Sequence, residues 1–78
     1  GVNIEIQAYD RGGLLRDITT VLANEKVNLT GVHSYSDPQE NVATITIAME
    51  ITSLTTLGRV LAKVKQLPNI IDARRKRG

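Results

Sequence analysis

The chain has 78 residues, enough for one small domain that buries only roughly 60% of the surface of its unfolded chain. It has no cysteine and one histidine, which excludes disulfides, thiolate ligands and a zinc site, and its two aromatic residues leave little for stacking single-stranded bases. The net charge of +2 comes from the basic run at residues 74–77, because the rest of the chain carries six basic residues against eight acidic ones.

The first part of the chain predicts a strand followed by a helix. Residues 2–9 alternate apolar and polar side chains, which is typical of a strand with one buried face. Asp10 to Gly13 predict a turn, because glycine tolerates a positive φ. From Leu14 the apolar period becomes that of an amphipathic helix that ends near Asn24. The apolar stripe of this helix comprises Leu14, Leu15, Ile18, Val21 and Leu22.

Two strands joined by a hairpin are predicted next. Residues 27–36 are rich in β-branched and small polar side chains, and Gly31 within them indicates a bulge. Residues 37–41 contain Pro38 and predict the hairpin loop. Residues 43–51 place apolar side chains at every second position and mostly polar ones between them, so they predict the clearest strand of the chain.

A second helix and a last strand complete the pattern. Thr52 or Ser53 offers a hydroxyl N-cap, and Pro68 stops the helix at Leu67. Residues 69–75 then predict a short strand. The apolar stripe of the second helix comprises Leu54, Leu57, Val60, Leu61, Val64 and Leu67. In the last strand Ile71 and Ala73 are expected on one side of the sheet, and Asp72 and Arg74 on the other.

The predicted order βαββαβ favours one architecture. If each helix returns the chain, the first two strands run one way and the last two run the other. An all-antiparallel sheet then takes the order 4-1-3-2 with two split βαβ units, which is the ferredoxin-like α+β sandwich with both helices on one face. The other sheet face is left uncovered, with mostly polar side chains from Asn3, Glu5, Gln7, Thr44, Thr46 and Glu50.

No catalytic constellation accompanies this pattern. His33 lies in a predicted strand without a nucleophile or carboxylate pair around it. Asp10 and Asp17 look like a helix cap and a solvated helix face rather than an acid–base pair. The chain has no Walker loop and no G-x-G-x-x-G sequence. We therefore expect no catalytic residue, no metal and no cofactor in this chain.

The sequence carries no membrane or export signal. No apolar run approaches the roughly 18 residues of a membrane helix, and no signal-peptide pattern is present. We therefore expect a cytoplasmic protein without a membrane partner. The first residue is Gly1 rather than methionine, which favours a segment of a longer protein.

Two segments offer charge or open backbone to a partner. Residues 10–15 place two glycines before a helix, where free backbone N–H groups hold a carboxylate or phosphate, although spacing alone favours a plain tight turn. The basic run 74–77 is a solvated strand end, the start of a linker or a phosphate contact. Four adjacent charges favour the first two of these interpretations.

The motifs around the glycine loop resemble those of the ACT domain, a regulatory module of many metabolic enzymes. The family signature Asp-Arg-x-Gly-Leu-Leu is matched by Asp10-Arg11-Gly12-Gly13-Leu14-Leu15, and its second-strand start by Val27-Asn28-Leu29. Residues 8–19, 57–61 and 67–75 are most similar to the C-terminal ACT domain of RelA/SpoT-type (p)ppGpp synthetase/hydrolases. The resemblance therefore covers nearly the whole chain.

This resemblance implies the regulatory domain of a stringent-response GTP pyrophosphokinase. In such enzymes the synthetase transfers pyrophosphate from ATP to GDP or GTP, the hydrolase needs manganese, and both active sites lie outside this domain. The domain is expected to sense an amino acid, with branched-chain amino acids favoured, or alternatively to dock on ribosomal RNA or a neighbouring domain without a small ligand. The implied ligand-binding residues are Asp10, Arg11, Gly12, Gly13, Leu14, Leu15, Asn28 and Leu29. The implied RNA or partner contacts are Arg16, Arg74, Arg75, Lys76 and Arg77.

A homodimer is expected for two reasons. ACT domains commonly pair side by side or face to face and bind an amino acid at the interface. A marginal core and an uncovered sheet also gain stability from self-association, because a bound partner stabilises the folded state.

Overall fold

Four strands and two helices make up the computed structural model, which describes residues 1–76. The elements are β1 (Val2–Tyr9), α1 (Leu14–Asn24), β2 (Asn28–Asp37), β3 (Val42–Glu50), α2 (Leu54–Lys65) and β4 (Ile70–Lys76). The strands form one antiparallel sheet in the order β2-β3-β1-β4, which is the predicted order 4-1-3-2 counted from the other edge. The ferredoxin-like βαββαβ sandwich is therefore confirmed. Within the described residues, neither helix is long and apolar enough to cross a membrane.

The core lies between one face of the sheet and the two helices. Ile4 lies opposite Ile47 and Ile6 lies opposite Ile45, so the two central strands form the floor of this core. Burying such a side chain fully stabilises the fold by roughly 1.5–3 kcal/mol. The buried side chains of the sheet are Ile4, Ile6, Ala8, Ala43, Ile45, Ile47, Met49 and Ala73. Those of the helices are Leu14, Ile18, Leu22, Leu57, Val60 and Val64.

Two local signals in the sequence are confirmed. Ser53 is the N-cap of α2, and its hydroxyl oxygen accepts a hydrogen bond from the backbone N–H of Thr56 at 3.2 Å. The register of β2 against β3 shifts between Leu29 and Gly31, which is the predicted bulge. The end of α2 differs slightly from the prediction, because the helix stops at Lys65, two residues before the predicted end.

Two leucines assigned to helical stripes are exposed, so those assignments are wrong. Leu15 is 43% exposed, although it lies within about 20° of the buried Leu22 around the helix axis. Its exposure therefore comes from its place in the first turn of α1 and not from the helical period. Leu54 begins α2 and is 70% exposed, because the helix packs on the core only from Leu57 onward.

The prediction for Ile71 is also wrong, and a bulge explains the error. The register of β4 against β1 shifts between Gln7 and Ala8, and Ile70 lies opposite Ala8. Ile70 therefore packs against the core, while Ile71 is 47% exposed on the other side of the sheet. Ala73 is buried opposite Ile6, as predicted.

The edge strand β2 extends beyond the cover of the helices. Its ten residues are all exposed or half-buried, in contrast to the alternating burial of its neighbour β3. On the open sheet face His33 lies opposite Thr46 and Tyr35 lies opposite Thr44. The last residues of β2 lie beside the loop between β1 and α1, so edge strand and loop together border a cleft.

Candidate ligand-binding site

The loop between β1 and α1, the end of β2 and the start of β3 enclose a cleft of about 270 Å³. Small-molecule sites commonly measure roughly 300–1,000 Å³, so this cleft suits a small metabolite. Its floor is apolar, because Ala43 and Ile45 are buried core residues. The lining residues are Asp10, Arg11, Gly13, Leu14, Leu15, Arg16, Ser34, Ser36, Ala43 and Ile45.

Gly13 shapes the loop at the mouth of this cleft. It is the N-cap of α1 with a φ of 80°, in the left-handed region that favours glycine. A Cβ atom added there would lie 2.8 Å from Nη2 of Arg16, so the missing side chain leaves room for that guanidinium group. Gly12 has no such requirement, since a Cβ atom there meets no atom within 4 Å.

Backbone hydrogen bonds fix the loop to two neighbouring turns. The N–H of Tyr9 donates to the carbonyl of Asn69 at 2.9 Å, and the N–H of Asp10 donates to the carbonyl of Asn41 at 3.0 Å. The hydroxyl of Ser36 donates to the carboxylate of Asp10 at 3.2 Å. Asp10 is therefore held toward β2 and does not cap α1, which corrects the interpretation from the sequence.

Arg11 holds the loop through a hydrogen bond from each of its three guanidinium nitrogens. Its Nη2 lies 2.9 Å from Oδ2 of Asp17, its Nη1 donates to the carbonyl of Gly12 at 3.2 Å, and its Nε donates to the carbonyl of Pro68 at 3.3 Å. Its side chain is only 21% exposed. The sequence suggested that Asp17 lies on a solvated helix face. The structure instead makes it the ion-pair partner of Arg11.

Arg16 has a different environment. Its side chain is 79% exposed. It forms a long ion pair with Asp17, with 3.7 Å between Nε of Arg16 and Oδ1 of Asp17. The rim of the cleft therefore carries an available cation at Arg16 and an anion at Asp10, above an apolar floor.

The structure brings together most, but not all, of the residues expected at the site. Five of the eight line the cleft, whereas Gly12 does not. Asn28 and Leu29 lie at the opposite end of β2, where Asn28 is paired with Glu50. Asn28 borders a separate cleft of about 390 Å³ next to Glu25.

Four lining residues were missed from the sequence, namely Ser34, Ser36, Ala43 and Ile45. A signal for them exists in the hairpin. Because β2 and β3 pair across the loop 37–41, Ser36 lies opposite Ala43 and Ser34 lies opposite Ile45, at the end of the sheet that the glycine loop reaches. Counting the pairing outward from the hairpin would have found them.

The basic run predicted at the end of the chain is only partly free. Arg74 forms a 3.0 Å ion pair with Glu5 across the sheet. Arg75 and Lys76 are exposed at the end of β4, and Arg77 lies outside the described residues.

A second charged cluster joins the helices at the far end of the molecule. Glu25, whose side chain is 9% exposed, accepts from Nζ of Lys63 at 2.8 Å and from Nε of Arg59 at 2.7 Å. The hydrogen bonds from Lys63 and then Arg59 hold the pKa of Glu25 below its ordinary value of 4.5. In the described part of the chain, no three His, Cys, Asp or Glu side chains are grouped to hold a metal ion.

Comparison with known proteins agrees with this fold. The ACT domain family profile matches residues 1–75. The GTP pyrophosphokinase of Escherichia coli strain K12 is 57% identical over 75 residues, covering 96% of this chain and 10% of that enzyme. The Haemophilus influenzae GTP pyrophosphokinase is 47% identical over 74 residues, covering 95% of this chain and 10% of that enzyme. The chain thus spans about a tenth of the length of these curated relatives.

A solved structure has the same fold at low sequence identity. The ACT domain from the GTP pyrophosphokinase of Chlorobium tepidum superposes with a TM-score of 0.83 and 16% identity, over 96% of this chain and 95% of that one.

Proposed function

The chain belongs to the ACT domain family, and on that basis we propose that it is the amino-acid-sensing regulatory domain of a RelA/SpoT-type GTP pyrophosphokinase. The 57% identity with the Escherichia coli enzyme supports a parent protein of this type. In this proposal the parent works in the cytoplasm and transfers pyrophosphate to GDP or GTP through domains other than this one. It is either synthetase-only or a bifunctional enzyme that also hydrolyses (p)ppGpp. In this proposal the chain signals to those domains whether an amino acid is bound.

The observation that carries the proposal is the composition of the cleft. An α-amino acid with an aliphatic side chain has one positive group, one negative group and an apolar body. The rim offers Asp10 and Arg16, and the floor offers Ala43 and Ile45. Pockets of this kind use a few placed polar groups for orientation and apolar walls for affinity. Branched-chain amino acids fit this combination best.

Calorimetry of the chain against the twenty amino acids tests the proposal. We expect binding heat for valine, leucine or isoleucine. Gly13→Val should abolish it, because the side chain enters the space of Arg16, and Gly12→Ala should preserve it as a matched control. Absence of heat for all twenty amino acids would remove the sensing function.

Pairing of two chains through β2 is the second part of the proposal. The strand presents a ten-residue edge that lies at the border of the sheet and is exposed or half-buried throughout. An edge of this length is a template for strand pairing, and a charge placed on it opposes pairing. A Val32→Lys variant should therefore shift the sedimentation equilibrium toward monomer, whereas Thr55→Lys on exposed α2 should not. A stable monomer of the unmodified chain at high micromolar concentration would contradict the homodimer.

The alternative function is docking to ribosomal RNA or a neighbouring domain without a small ligand. The exposed Arg75 and Lys76 at the end of β4 support a phosphate contact, and Arg16 and Arg77 belong to the same basic set. Truncation of the full enzyme after Ala73 tests it. Unchanged ribosome association after truncation would exclude this role for the basic run, and a salt-sensitive loss would support it.

A further inference from the structure

The two arginines of the glycine loop have different surroundings, and from that difference we infer separate roles within the proposed amino-acid site. Arg16 binds the carboxylate of the ligand, whereas Arg11 is a positioning residue that holds the loop and does not touch the ligand. This inference rests on the proposed function. It reverses the expectation from the sequence, which placed Arg11 at the ligand and Arg16 at an RNA contact.

The hydrogen bonds of Arg11 attach its guanidinium group to the protein. Each of its three guanidinium nitrogens donates to a protein acceptor, and the acceptors come from three places along the chain: Gly12, Asp17 and Pro68. The carboxylate of Asp17 already lies 2.9 Å from Nη2, so a ligand carboxylate would compete with it for this part of the guanidinium group. Arg11 therefore joins the loop, α1 and the turn before β4.

Arg16 is placed to receive an anion. Among residues 1–76, no side-chain hydrogen bond uses an N–H group of its guanidinium, and its 3.7 Å contact with Asp17 involves only Nε. Its Nη2 lies beside Gly13, 2.8 Å from the position that a Cβ atom on that residue would take. A planar guanidinium group binds a carboxylate through two parallel hydrogen bonds, which requires two neighbouring N–H groups without other acceptors.

Asp17 links the two roles. Its Oδ2 pairs with Arg11 and its Oδ1 faces Arg16, so one carboxylate is fixed by Arg11 and orients the neighbouring guanidinium group. Removing Arg11 should then disorder the rim as a whole, while removing Arg16 should delete one specific contact.

A comparison of two ligands separates these roles. L-Valine and L-valinamide share the side chain and the ammonium group, but valinamide lacks the carboxylate. Because a hydrogen-bonded charge pair contributes a factor of roughly ten or more to affinity, the unmodified chain should bind L-valine at least about tenfold more tightly than valinamide. In Arg16→Gln this preference should disappear through weaker L-valine binding, with valinamide binding unchanged.

The Arg11 variants give the complementary pattern. Arg11→Gln should weaken both ligands by the same factor, and Arg11→Lys should recover part of that loss, because an ammonium group still pairs with Asp17. Arg59→Gln, an exposed arginine in the Glu25 cluster, serves as the control and should change neither affinity.

Two results overturn the assignment. If Arg16→Gln weakens both ligands equally or neither, Arg16 does not bind the carboxylate. If Arg11→Gln removes the preference for L-valine and spares valinamide, the two roles are reversed. Failure of the unmodified chain to bind either ligand or any other amino acid is a different outcome, which overturns the proposed sensing function together with this assignment.

Discussion

Replacing Gly13 by alanine is expected to destabilise the protein much more than the same change at Gly12. Gly13 has a φ of 80°, where a Cβ atom costs about 1–2 kcal/mol in an L-residue. The added atom would also lie 2.8 Å from Nη2 of Arg16, which must move aside. Because that side chain is long and 79% exposed, its displacement adds little, and the backbone dominates the loss.

Urea unfolding gives the size of this effect. With a slope of about 1–3 kcal/mol per molar urea for a small protein, a loss of about 1.5 kcal/mol lowers the midpoint by roughly 0.5–1.5 M. The melting temperature should fall by roughly 6–12 °C, since one kcal/mol shifts a domain of this size by about 4–8 °C. Such a change is large against a total stability of about 5 kcal/mol for a small domain.

Two control variants identify the cause of the loss. Gly12→Ala should stay within about 0.5 kcal/mol of the unmodified protein, because its Cβ meets open space. Gly13→Asn should recover part of the loss, because asparagine visits the left-handed region more readily than alanine. Equal midpoints for the two alanine variants would refute the conformational argument, and so would an asparagine variant no better than alanine.

Three further outcomes follow from the helices. Gly58→Ala should raise the melting temperature, because a glycine inside a helix destabilises it by about 0.5–1 kcal/mol relative to alanine. The added Cβ atom would meet open space, so an unchanged or lower melting temperature would contradict this expectation. Ser53→Ala should lower the free energy of unfolding by about 1 kcal/mol through loss of the cap, and a change below a few tenths would contradict it. The lowered pKa of Glu25 means that its stabilising contribution is present above its ordinary value of 4.5 and is lost as the pH falls through the folded-state pKa. Glu25→Gln should therefore have a lower free energy of unfolding than the unmodified protein at neutral pH, and this difference should shrink as the pH falls. A difference that does not change with pH would contradict the lowered pKa.

Periodicity predicted the strands and helices, because the spacing of apolar residues along each element is a local property of the sequence. The sheet order then followed from the sequence of elements and the directions of the strands. Ile71 escaped this reasoning, since its side depends on a bulge that forms only when β4 pairs with β1. Leu54 escaped it because the helical period does not say where α2 first meets the sheet.

The site was predictable in outline and not in its division of roles. The motif at residues 10–15 located the loop, but the two glycines and two arginines within the six residues 11–16 cannot be told apart from the sequence. Only the backbone angle of Gly13 and the acceptors around Arg11 distinguish them. Asn28 and Leu29 were grouped with the loop by resemblance, whereas strand β2 places them at its far end.

The most direct test of the account is a titration of the chain with L-valine, L-leucine and L-isoleucine, followed through its backbone amide NMR signals. Amino-acid sensing at the glycine loop predicts saturable shifts that are largest at Gly13, Arg16, Ser34 and Ser36, with small changes around Glu25. Saturable shifts centred instead on Glu25 and Asn28 would place the ligand in the other cleft and contradict the assigned site. Spectra that do not change at millimolar ligand would contradict amino-acid sensing itself.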